Sequence, residues 1–163
     1  MFKNHKTVER VQHTANTEFH PKTLAVRAAQ DAIFIAPYIS NSQARDIANS
    51  LQGEHGAAMM KRIVAIASVI ESIAISPEQT GLNDNTTVYL HYQLHNWHWY
   101  ITERMDGGRV DQAFGYVMLA TDRQRGLEFK PVSIIELLAH GCVLDLNFSP
   151  QSVHTIKQSN IVH

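Results

Sequence analysis

At 163 residues, with 44% hydrophobic and 18% charged side chains, the chain has the size and make-up of one folded domain and not of a disordered segment. Fourteen Lys and Arg against fifteen Asp and Glu give a formal net charge of -1, without the basic excess that phosphate neutralisation favours in nucleic-acid binders. A single cysteine, Cys142, excludes an internal disulfide framework.

The first nineteen residues are polar, lack the apolar core of a secretion signal, and read as a loosely held tail. The most apolar stretch, Ile63 to Ile75, contains Glu71 and falls short of the ~20 residues that a bilayer span needs. A cytoplasmic chain with no membrane partner is the expectation. One α+β domain is predicted over 20–163, helical over 20–76 and sheet-bearing over 80–155.

Pro21 suits a first helical turn, and Leu24, Ala25, Ala28, Ala29 and Ala32 follow at helical spacing until Pro37 stops the helix. Ser42 is placed to cap a second helix that runs to about Leu51, before Gly53. A third helix is predicted over Ala57 to Ala74, apolar around most of its circumference. Such a helix serves as the centre of a core or as a homo-oligomer interface.

Beyond Ser76-Pro77 the pattern alternates. Thr86 to Leu94 sets Val88, Leu90, Tyr92 and Leu94 on one face and Tyr89, His91, Gln93 and His95 on the other. His95-Asn96 makes a turn into a strand over Trp97–Arg104, and Asp106-Gly107-Gly108 turns into another over Gln112–Ala120. Gly126 to Pro131 forms a short fourth strand. Ser133 and Glu136 have the form of a capping box opening a helix that ends at Gly141. Val143 to Phe148 reads as a last strand stopped by Pro150. The predicted architecture is a helical N-terminal half packed on an antiparallel meander, with one helix inserted near the C-terminus.

The segments WYITER (99–104), AFGY (113–116), SIIELL (133–138) and LDLNFSP (144–150), in this order and spacing, resemble a domain family of unknown function carried by plasmids, phages and integrative elements. Members typically read Trp-Tyr-(Ile or Leu)-Thr-Glu, then Phe-Gly, then a serine-capped helix, then Asp-Leu-His followed by Thr-Pro. Asn147 stands where the histidine often does, and Ser149 replaces the threonine. The resemblance spans about residues 80–155. It implies a small accessory protein of mobile DNA, a class that includes inhibitors of restriction and CRISPR systems, and it transfers no catalytic residue.

Ten histidines invite a metal reading of His91, His95 and His98. On a strand, however, four residues rise about 13 Å, far beyond the roughly 4 Å between two ligands of one zinc. His98 approaches one of the other two across the hairpin, which gives two ligands and no carboxylate with clear geometry. No metal and no cofactor are expected. Cys142 beside His140 has half the form of a nucleophilic pair, but at a helix C-terminus the thiolate lacks the support of a helix N-terminus. A small buried residue at a strand start is the simpler account. Glu103 is expected on the face of Trp97, Trp99 and Ile101, and Asp145 alternates with Leu144 and Leu146. If brought together, the two carboxylates could act as acid and base.

Trp97, Trp99 and Tyr100, with Phe114 and Tyr116 on the next strand, form an aromatic set that suits a core, a protein hot spot or base stacking. The recognition surface is expected at the Arg104–Asp111 turn. There Arg104, Asp106, Arg109 and Asp111 surround a double glycine, and Trp97, Tyr100 and Glu103 lie on the strand leading in. A non-enzymatic protein that binds a host protein or complex is the leading expectation. A nucleic-acid-binding accessory and a small enzyme using Glu103 or Asp145 are the alternatives.

Overall fold

The computed structural model describes residues 23–75, 83–105, 110–119, 121 and 126–161. The N-terminal tail, Asp106 and Arg109 lie outside the described residues. No helix among the described residues is long and apolar enough to cross a membrane.

The chain is α+β, with three N-terminal helices, a mostly antiparallel sheet and further helices near the C-terminus. Helix α1 (Leu24–Ile35) starts where Thr23 Oγ1 accepts from Val26 N, and it gives way to a 3-10 turn over Ala36–Tyr38 that contains Pro37. Helix α2 (Asn41–Gln52) is capped by Ser40, two residues earlier than expected; Ser40 Oγ accepts from Gln43 N, and the Ser42 hydroxyl bonds to that of Ser40 instead. Helix α3 (Gly56–Ser72) buries Ile63, Ile66, Ala67 and Ile70 and packs on α1 and α2. Most of its apolar surface is therefore taken up within the chain, and Lys61, Arg62, Ala65, Ser68 and Glu71 face solvent, which favours the core reading of this helix.

The strands are β1 (Ala74–Ile75), β2 (Thr87–Val88), β3 (Leu90–Leu94), β4 (Trp97–Arg104), β5 (Ala113–Leu119), β6 (Glu128–Val132), β7 (Val143–Leu144) and β8 (Gln151–Ser152). The main sheet runs β6-β5-β4-β3-β7, all antiparallel, with β1 added parallel to the end of β4. His95, at φ 52°, makes the tight turn that pairs Leu94 with Trp97. The expected last strand over 143–148 shortens to β7, because Asp145 turns the chain by accepting from Asn147 N at 2.9 Å. Helix α4 (Ile134–Ala139) opens on Ser133, whose hydroxyl accepts from Glu136 N. Beyond Pro150 the chain forms β8, paired with β2, and helix α5 (Val153–Ile161), neither of which was expected.

Period-two alternation divides the sheet into two faces. One face (Leu90, Tyr92, Trp99, Ile101 and Leu144) packs under α1–α3 in the main core. There the Tyr92 hydroxyl donates to Tyr38 O at 2.9 Å, and the Gln43 amide bonds both N and O of Leu144, at 3.1 and 2.6 Å. The other face (Tyr100, Tyr116 and Met118) forms a second core with Val88, Val153 and Ile156, beneath α5. The single alternation expected over 86–94 breaks at Tyr89, so Val88 serves the second core while Leu90 and Tyr92 serve the first.

Candidate functional site

Strand β4 carries three distinct environments. At its start, Trp97 and Trp99 stack with ring centroids 6.2 Å apart on the helix-side face. Leu94, Val117, Pro131 and Leu137 join them to line a cleft of about 480 Å³ between the sheet and α4. Trp97 is 43% exposed at this cleft. Lys130, Glu136 and His140 supply its polar groups. His140 Nδ1 donates to Glu136 O at 2.7 Å and does not engage Cys142. Cys142 is fully buried, and burial raises its thiol pKa, so the pair has no nucleophilic character.

In its middle, on the opposite face, β4 places His98 and Tyr100 against His91. The hairpin register sets His91 opposite Tyr100 and Gln93 opposite His98, so the two histidines are diagonal neighbours. His91 Nε2 lies 2.9 Å from His98 Nδ1, and His91 Nδ1 lies 3.3 Å from Asp145 Oδ2. Because the carboxylate only accepts, His91 Nδ1–H donates to it, and His91 Nε2 takes the Nδ1–H of His98. Burial lowers the His91 pKa against the opposing pull of Asp145; burial and then His91 lower that of His98. The His91 ring stacks on Tyr100 with centroids 4.9 Å apart, and Phe148 tilts against it at 5.6 Å. Among the described residues, no three His, Cys, Asp or Glu side chains gather as a metal site.

At its end, β4 carries Glu103 in a polar cleft. A register shift between Ile101 and Glu103 sets Glu103 opposite Phe114, in the alternate set with Tyr116 and Met118. Glu103 therefore leaves the Trp97–Ile101 face on which simple alternation put it. Glu103 lines a cleft with Asn83, Asn85, Thr87, Tyr89 and Thr102, whereas Asp145 is engaged with His91. The two carboxylates occupy separate environments and do not form an acid–base pair.

Of the expected recognition residues that are described, Trp97 alone is exposed. Tyr100 is buried beneath α5, which closes the Tyr100–Tyr116 face as a platform for bases. Arg104 and Asp111 are half-buried and not projecting, because β4 extends through Arg104 to pair with Ile75 and Ala113. Sequence reasoning missed the Asp145–His91–His98 chain; the two-residue turn at His95-Asn96 signals its histidine half, whereas nothing local signals Asp145. Neither family models nor curated proteins nor solved structures give a significant match to this chain.

Proposed function

We propose that the chain is a non-enzymatic binding protein that takes an apolar element of a protein partner into the cleft beside Trp97 and Trp99. The observation that carries this reading is the 43% exposure of Trp97 beside Trp99, in a cleft also lined by Val117, Pro131 and Leu137. Tryptophan concentrates binding energy where a partner seals it from water, and polar groups around an apolar floor are the usual anatomy of an interface. The buried Cys142 thiol and the separation of Glu103 from Asp145 count against the two catalytic pairs that the sequence suggested. The resemblance of residues 80–155 to domains of mobile DNA directs the search to host proteins, with restriction and CRISPR complexes the first to test.

Affinity capture from the host with the parent chain and with Trp97→Ala tests this reading. Losing a half-exposed ring at a cleft changes melting little, whereas a hot-spot tryptophan costs more than tenfold in affinity. A protein retained by the parent and lost with Trp97→Ala is the expected result. Equal recovery with both proteins would refute the cleft as the binding surface.

A further inference from the structure

Strand β3 leaves β4 after Leu90 pairs with Ile101, and the last backbone bond on that side runs from Tyr89 N to Ile101 O at 2.8 Å. Two residues later β1 takes over the same edge of β4, pairing Ala74 with Glu103. Between the departing chain and the arriving strand lies a fork, a cleft of about 330 Å³ at the small end of small-molecule sites. Trp97 and Glu103 stand six residues apart on one strand, about 20 Å, so this cleft is separate from the one proposed for the protein partner.

Glu103 is only 8% exposed, and its Oε2 is buried with no hydrogen-bond partner. Burial raises its pKa. Leaving a carboxyl oxygen buried and unpaired is costly, and native structures seldom hold one without a use. The lining adds neutral oxygen-bearing groups, from Asn83, Asn85, Thr87 and Thr102, and the aromatic ring of Tyr89; among the described residues no Lys or Arg lines it. The approach is also fixed in place: Asn85 N donates to Asn83 Oδ1 at 2.8 Å, and Val153 N and His154 N of α5 donate to Thr86 O and Asp84 O.

We propose that this fork is a binding site for an organic cation carrying N–H donors, a primary ammonium or a guanidinium group. Such a group supplies the donor that Glu103 Oε2 lacks and the charge that its carboxylate needs. Threonine and asparagine oxygens take the remaining N–H groups, and the Tyr89 ring offers a cation–π wall. A bare divalent ion fits less well: it favours several oxygen ligands, commonly with more than one carboxylate, and Glu103 is the one carboxylate lining the fork among the described residues. A free amine and the side chain of a partner's lysine or arginine both present this chemistry.

Titrating the full chain by two-dimensional NMR with ethylammonium, methylguanidinium, N-acetyl-lysine amide and N-acetyl-arginine amide tests the site and its source. Saturable shifts at Tyr89, Thr102 and Glu103 are expected. Tighter binding of the free cations assigns a small molecule, and tighter binding of the capped amino acids assigns a partner side chain. Glu103→Gln should weaken binding about tenfold or more while melting no lower than the parent, because a neutral amide is easier to bury. Asn85→Lys, at an exposed lining position, should abolish binding by like-charge repulsion with the fold intact. No saturable response to any of the four probes would overturn the proposal, as would parent-like affinity in Glu103→Gln or a large loss of its stability.

Discussion

His98 donates its Nδ1–H across 2.9 Å to His91 Nε2, an arrangement that holds only while at least one of the two facing nitrogens is unprotonated. Asp145 fixes the other side of His91, Tyr100 stacks against both imidazoles, and Phe148 packs against His91. The rings are shielded enough that burial lowers both pKa values below the ordinary 6.5, despite the favourable charge of Asp145 beside His91. As pH falls, the unfolded chain takes up protons first. The stability contributed by the neutral pair is whole above 6.5 and is lost as pH drops through the two folded-state pKa values. Urea unfolding across the imidazole range should show this loss, with a shallower slope in His98→Gln. A parent protein whose stability is flat over that range would contradict the arrangement.

Helix α3 gives the sharpest stability test. Ile70 is fully buried and belongs to the cluster that joins α3 to Leu90 and Ile101 of the sheet. Ile70→Ala removes three carbons from this close-packed setting and should cost about 2–5 kcal/mol, depending on how far the site collapses. Because the contacts are within one chain, the loss should be independent of protein concentration. Thermal melts at several concentrations read both effects. Parent-like melting would place Ile70 outside the core, and a concentration-dependent loss would return α3 to a subunit interface.

Local chemistry made most elements legible. Pro37, Ser133 and the His95-Asn96 turn each act within a few residues, and their effects are where pattern reasoning expects them; the Thr23 cap of α1, by contrast, was not anticipated. Helix α5 also had a readable start, since Ser152 Oγ accepts from Thr155 N and Val153 and Ile156 fall one turn apart, but Pro150 suggested an ending. Strand β1 was hidden because two residues acquire their partners only from Glu103 and Arg104, far along the chain. The sites suffered for the same reason. Strict alternation put Glu103 with Trp97 and Trp99, and only the register shift against β5 moves it into the polar fork. His91 and His98 follow from hairpin register, while Asp145 arrives by the long connection through α4 and β7.

Gly115 explains the glycine of the AFGY segment in terms that can be measured. It stands opposite Ile101 on β4, immediately before the register shift that redirects Glu103. A Cβ at this position would run into the backbone carbonyl oxygen of Tyr100 and lie 3.0 Å from the Cα of Ile101. These are backbone atoms held by strand pairing on both sides, so no side-chain rotation relieves the clash. Gly115→Ala should therefore push β4 and β5 apart and cost about 1–3 kcal/mol, in the range of an overpacked core. The amide resonances of Ile101, Thr102 and Glu103 should shift with it, because the bulge lies at the same place. Gly53→Ala is the matching control. The nearest atoms to its Cβ are Ser50 and Asn49 carbonyl oxygens at 3.7 and 3.9 Å, ordinary contacts, so its effect should stay within about 0.5 kcal/mol. If Gly115→Ala melts like Gly53→Ala and leaves the Glu103 amide unmoved, β4 and β5 do not approach as closely as described, and the bulge that builds the fork loses its cause.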